Sequence, residues 1–163
     1  MAFEFDRQAG LIKDKITGER CIIITQARMQ EIFSRLSEIF QSGATVIIYE
    51  ASKAAGKRFV EETSQITKAD KGLILKTVVQ RFTDAGLGKI EVVDFNPEKG
   101  EIKFRIWNNF FAEILCGESN YCNCIASFVS GMYEQIMLKT PKITETKCAG
   151  KGDPYCEWQM VSK

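Results

Sequence analysis

The spacing of Cys122, Glu145, Cys148 and Cys156, closed by the run Gly152, Asp153, Pro154, Tyr155, Cys156, constrains this chain more than any other feature of it. Three thiolates and a carboxylate make a full tetrahedral set for a divalent ion. A site filled entirely by protein ligands stabilises a fold and leaves no position to activate water. Any fold the chain adopts therefore has to bring the segment around Cys122 onto the glycine-rich turn after Cys148. Zinc suits this donor set. Five cysteines fall between Cys116 and Cys156, enough for an iron–sulfur cluster, but no compact cysteine-rich run of the ferredoxin kind occurs, and zinc is favoured.

The residues around the four ligands set geometric conditions. If Asn120 caps a helix, Cys122 lies in its first turn, where free backbone N–H groups favour a thiolate. Cys124 stands two residues further on and could serve instead. Residues two apart on a helix do not share a face, so one of the two is expected, not both. Cys156 has the strand parity of Trp158 and Met160 and should point inward with them. Glu145 and Cys148 have opposite parity, so both reach one ion only if a bulge or bend intervenes before Cys148. Lys147 and Lys151 read as counter-charges to an anionic ligand set. Cys21 and Cys116 read as small buried apolar side chains.

A chain of 163 residues is expected to form one domain with a real core. With 22 basic against 21 acidic residues there is no electrostatic surplus to hold nucleic acid or an anionic membrane. No apolar run approaches the ~20 residues of a membrane span. The N-terminal stretch carries Glu4 and Asp6 early and lacks a basic start followed by an apolar segment, so it does not read as a secretory signal. The expected location is the cytoplasm, where six cysteines act as ligands or core residues and not as a disulfide framework. The chain has no histidine, which excludes Ser-His and Cys-His nucleophiles, histidine-ligated haem and histidine-based zinc catalysis.

Phe3 and Phe5 alternate before Gly10, and Gly18 precedes the apolar run Cys21 to Ile24, a pattern of short strands or an extended arm. After Thr25 as N-cap, Met29, Ile32, Phe33, Leu36 and Phe40 recur at helical spacing up to Gly43. Ala44 to Tyr49 reads as a covered central strand, and Ser52 to about Thr63 as a helix containing Gly56. A further helix is expected from near Thr67, with Asp70 three residues on, buried through Ile74, Val78, Val79 and Phe82 and ended by Gly86. Lys89 to Phe95 and Glu101 to Trp107 flank the turn Asn96 to Gly100 as a hairpin. A short helix, Asn109 to Leu115, precedes one whose apolar face is Ile125, Phe128, Val129, Met132, Tyr133 and Ile136. A second hairpin, Lys142 to Cys148 against Tyr155 to Val161, closes the chain. The fold class is α+β, a mostly antiparallel sheet packed with amphipathic helices.

From Trp107, Asn108, Asn109, Phe110, through Cys122 to Gly131, to Glu145, Cys148 and the Gly152 to Cys156 turn before Trp158, the last third of the chain resembles the 4-vinyl reductase domain family, also described as hydrocarbon-binding proteins. The resemblance implies a fold shared with haem nitric-oxide sensors and TRAPP vesicle-tethering subunits, an apolar pocket, and frequent dimerisation. It also implies zinc on Cys122, Glu145, Cys148 and Cys156, the register to Gly131 favouring Cys122 over Cys124. Asn123 stands where family members often carry Trp or His, and the histidine with which aromatic sensors grip a phenolic hydroxyl is absent.

The expected function is therefore binding or sensing of a hydrophobic, aromatic or hydrocarbon-type small molecule, with Phe110, Phe111, Phe128, Met132 and Trp158 as the candidate pocket residues. Two alternatives stand beside it: a vinyl-group reductase acting on tetrapyrroles, and a dimeric interaction subunit. No dinucleotide fingerprint or P-loop is visible, and Gly56, Lys57 and Arg58 lack the spacing of a phosphate loop, which weighs against an enzyme. A homodimer is expected, with no nucleic-acid partner.

Overall fold

In the computed structural model, which describes residues 2–67, 70–115 and 122–163, Thr25 caps helix α1 (Gln26–Phe40) by accepting the Arg28 N–H at 3.4 Å. The side chains of 66–67, 113–115 and 122–123 are not among those described. Ahead of α1 a small antiparallel sheet forms from β1 (Phe3–Asp6), β2 (Leu11–Asp14) and β3 (Arg20–Cys21), the short strands that the Gly10 and Gly18 breaks predict. Ile22 to Ile24 carry the chain onward outside that sheet.

α2 departs from expectation: Ala44 to Tyr49 is not a strand but the beginning of one long helix, Ser42–Thr67. Gln41, at φ 49°, breaks the chain between α1 and α2, two residues before the expected stop at Gly43. The β-branched run gave a local strand signal that tertiary packing overrides. Ala44 and Ile48 are buried at a spacing of one helical turn, and the row continues through Ser52, Gly56 and Val60 toward the next helix to be described. Val46 and Ile47 face outward, being 64% and 45% exposed. α3 (Lys71–Asp84) is capped by Asp70 itself, whose carboxylate accepts the Leu73 N–H at 3.0 Å, so the helix begins at the aspartate and not near Thr67.

The second sheet is antiparallel throughout, in the order β4 (Lys89–Asn96), β5 (Glu101–Trp107), β7 (Cys156–Ser162), β6 (Pro141–Lys147). Two hairpins are thus joined edge to edge, with α4 (Phe110–Leu115) and α5 (Cys122–Met137) in the connection. The inner face of β5 and β7 presents Phe104, Ile106, Cys156, Trp158 and Met160, which form one buried cluster with Ile125, Val129, Met132 and Ile136 of α5 and Val78 and Phe82 of α3. No helix among the described residues is long and apolar enough to cross a membrane.

Two glycines set the position of α5. A Cβ at Gly56 would lie 1.9 Å from the Phe128 carbonyl oxygen, and one at Gly131 2.0 Å from that of Lys53, so α2 and α5 cross with backbones in contact. Lys53 and Lys57 each reach Glu134 at 2.7 Å across the crossing. Burial alone would push the Glu134 carboxyl up, but the two ammonium groups outweigh it and hold it below its ordinary value. Arg81, buried on α3, docks the small sheet: it bonds Asp14 at 3.0 Å and Thr63 Oγ1 at 2.6 Å and lies 4.3 Å above the Phe59 ring.

Candidate metal centre

The C-terminal hairpin meets the condition set by strand parity. Glu145 pairs with Trp158 and so shares the inner side of the sheet, and the register then shifts between Glu145 and Lys147, inserting Thr146 as an extra residue. That bulge turns Cys148 back toward Glu145. One carboxylate oxygen of Glu145 and the sulfurs of Cys148 and Cys156 all lie within 4.8 Å of one another. A tetrahedral zinc with sulfur at about 2.3 Å and oxygen at about 2.0–2.2 Å separates its ligands by roughly 3.5–3.8 Å. The triad is therefore within about 1 Å of that geometry. Two soft sulfurs and one hard oxygen, with Cys148 and Cys156 buried, are a donor set able to hold a divalent metal ion, and three such ligands come together among the described residues.

The loop is built to hold this arrangement. After Cys148 a 3-10 turn (Ala149–Lys151) ends at Gly152, whose φ of 99° suits glycine and brings Asp153 back under the loop. Asp153 Oδ2 accepts the Cys148 N–H at 2.9 Å, and the Cys148 carbonyl accepts from Lys151 and Asp153. Cys156 Sγ accepts from Ala149 N at 3.3 Å and from Asn109 Nδ2 at 3.4 Å. Burial pushes the Glu145 carboxyl up, against the contact with Cys148 and the charge of Lys151. Lys151 is thus a counter-charge to the site, as expected. Lys147 is not: it bonds the Tyr155 hydroxyl at 3.0 Å, on the side of Glu157.

Cys122 opens α5, but its side chain lies outside the described residues, as do Cys116 and Asn120. Cys124 is placed away from the triad. Its sulfur lies 3.0 Å from Ser52 Oγ, packed with Ala44 and Ile48, and burial pushes its thiol up. Cys21 is only half-buried, contrary to the expectation of a core residue, because β3 lies over a groove.

The outer face of the same strands carries a charge cluster that sequence reading missed. Glu157 is buried there, accepting from Arg105 at 2.7 Å, Thr146 at 2.8 Å and Lys103 at 3.0 Å. Burial raises its pKa, and these three partners together more than reverse that, leaving it at about 2. Strand alternation places Glu157 outward between Cys156 and Trp158, but its partners come from another hairpin and from the bulge residue.

The five candidate pocket residues fall in different places. Phe110 and Phe111 line a groove of about 220 Å³ shared with Phe3, Phe5, Ile23 and Met29. Met132 borders a void of only about 20 Å³ under the sheet, lined by aliphatic and aromatic side chains. Phe128 packs between the rings of Phe59 and Phe82, with centroids 5.7 and 6.0 Å away. Trp158 stacks on Phe104 and borders a wider, more polar groove with Glu145, Tyr49 and Lys142. Gly56, Lys57 and Arg58 lie within α2, on Phe128, Glu134 and Glu62 respectively.

No protein-family model matches this chain, and no curated protein matches it. Solved structures do. The phenol-responsive sensory domain of the transcription activator PoxR, solved with phenol, superposes with a TM-score of 0.82 at 17% identity, over 99% of this chain and 85% of that one. This chain has the fold of that sensory domain. A vinyl-4-reductase family protein from Methanocaldococcus jannaschii gives 0.59 at 19% identity, over 88% and 84% of the two chains. Subunit 3 of a trafficking protein particle complex from Naegleria fowleri, covalently bound to palmitic acid, gives 0.57 at 13% identity, over 85% and 95%. An H-NOX protein from S. oneidensis shares the fold as well, at a TM-score of 0.58. The fold relationships that the family resemblance implies are those the fold displays.

Proposed function

We propose that this chain is a non-catalytic binding or sensing domain for a small apolar molecule, aromatic or hydrocarbon in character, with a structural zinc held by Cys122, Glu145, Cys148 and Cys156. The observation that carries the reading is the groove at Phe110 and Phe111. Its volume of about 220 Å³ exceeds the ~150 Å³ of an apolar cavity that accepts benzene. The 20 Å³ void beneath the sheet is about the size of one water, too small for an organic ligand. With no histidine in the chain, recognition rests on apolar area and shape, so affinity should climb by ~0.8 kcal/mol for each methylene buried until the groove is full.

Zinc in this reading supplies no chemistry beyond holding the hairpin to the first turn of α5. The phenol carried by the PoxR domain and the palmitate carried by the trafficking subunit support the class of ligand. We place the protein in the cytoplasm, where its thiols stay reduced, and read it as a homodimer. The second copy would cover Ile32, Ile39, Phe40, Val46 and Ile47, apolar side chains that α1 and α2 turn outward.

The test is a titration with 4-alkylphenols of increasing chain length, followed by calorimetry, beside native mass spectrometry of freshly isolated protein. Affinity rising severalfold per methylene, and lost in Ile23→Glu, is expected. Ile23 is largely exposed, so that substitution charges the groove without disturbing the core. No binding by any member of the series, or the same affinity in Ile23→Glu, would remove the groove from consideration.

A further inference from the structure

Asn109 is fully buried, and its amide has no freedom of orientation. Its Oδ1 accepts the Phe111 N–H at 3.1 Å; because a backbone N–H can only donate, the oxygen must occupy that side. The NH₂ end is thereby committed to the other contact, Cys156 Sγ at 3.4 Å. A buried asparagine aimed at a sulfur is an expensive choice for a core unless the sulfur carries negative charge, since N–H donors favour the anionic form that binds metal. The Ala149 N–H approaches the same sulfur at 3.3 Å from within the hairpin. Asn109 donates to it from outside the hairpin.

We infer that Asn109 is a positioning residue for the metal centre, one that fixes and polarises the Cys156 thiolate while tying it to the first turn of α4. The inference rests on the metal reading above and adds a residue to it. Outer partners of this kind orient a ligand and tune its basicity, and their loss typically lowers metal affinity 10–100-fold. The same side chain hangs Phe110 and Phe111, the groove wall, from the sulfur that holds the ion.

Two variants separate the roles. Asn109→Ser keeps an oxygen able to accept the Phe111 N–H but removes the amide donor; Asn109→Leu removes both. Zinc affinity, measured by competition with a chromophoric chelator, is expected to fall 10–100-fold in both. The sulfur-to-metal charge-transfer band of the cobalt-substituted protein should move to lower energy in Asn109→Ser, because a sulfur relieved of a donor gives up electron density more readily. A merely structural asparagine would leave that band in place. Wild-type affinity and an unmoved band in Asn109→Ser overturn the inference alone. A wild-type chain that takes up neither zinc nor cobalt overturns the metal reading and this inference together.

Discussion

Gly131→Ala tests the contact on which the position of α5 depends. The added Cβ would lie 2.0 Å from the Lys53 carbonyl oxygen, 2.9 Å from its carbonyl carbon and 3.0 Å from Lys57 N. Real Cβ contacts are essentially never under 3.0 Å, so α2 and α5 would have to part by about 1 Å. Overpacking against side chains that can swing away costs about 1–3 kcal/mol. Here the obstructing atoms are backbone, so the upper end applies, and the gain in helix propensity on replacing glycine by alanine returns ~1 kcal/mol. The net loss is roughly 2 kcal/mol, before any weakening of the Lys53 and Lys57 bonds to Glu134. In a chain of this size that corresponds to a melting temperature lower by roughly 4–8 °C. Thermal denaturation followed by circular dichroism measures it. Gly43→Ala is the control, since its Cβ would meet nothing nearer than Phe40 Cβ at 3.9 Å and should be neutral or slightly stabilising. If Gly131→Ala melts with Gly43→Ala and wild type, the crossing is looser than a backbone contact and the account of how α5 is placed is wrong.

Cys148→Ser and Cys156→Ser are each expected to lose bound zinc and melt earlier, with Glu145→Ala doing so more mildly; unchanged elemental analysis and melting in both cysteine variants would refute the ligand set. Glu157→Gln probes the outer face. The folded pKa of about 2 lies below the unfolded value of 4.5, so the carboxylate's contribution is full above about pH 5 and vanishes as pH falls toward 2. The shift sets an upper limit of ~3 kcal/mol, reduced to about 1–2 kcal/mol because its cationic partners reach solvent. The stability gap between Glu157→Gln and wild type should be present at pH 7 and close by pH 2–3 in denaturant titrations, and a gap that persists at low pH contradicts this. Ile47→Lys, which alters an exposed position, should convert a dimer to a monomer in sedimentation velocity; equal sedimentation of both proteins would count against the α1 and α2 face as the contact.

What could be read from the chain divides along a physical line. Where a residue's role is fixed by near neighbours, the sequence was legible: the Thr25 cap, the Asn96 to Gly100 turn, the apolar stripe of α5, and the bulge before Cys148, which parity arithmetic demands of any hairpin that brings Glu145 to the same ion. Ala44 to Tyr49 was misread because β-branched residues carry a local strand preference that packing along α2 overrules. Arg81, Asn109 and Glu157 were invisible for a different cause. Each is a buried polar group whose partner lies far along the chain, on Asp14, Cys156 and Arg105, and nothing in the residue itself announces the pairing.

The same division bears on the ligand. The candidate metal triad lies within one hairpin and so survives as a motif, whereas the groove gathers side chains from Phe3 to Phe111, on segments with no fixed spacing between them. Fold similarity at 17% identity can persist through periodicity and a backbone crossing, but those constraints leave the groove lining free to vary. The proposed metal centre therefore bears on what holds this domain together. The ligand of the proposed function has to be sought in the groove, and loss of its binding in Ile23→Glu without a change in metal content would separate the two.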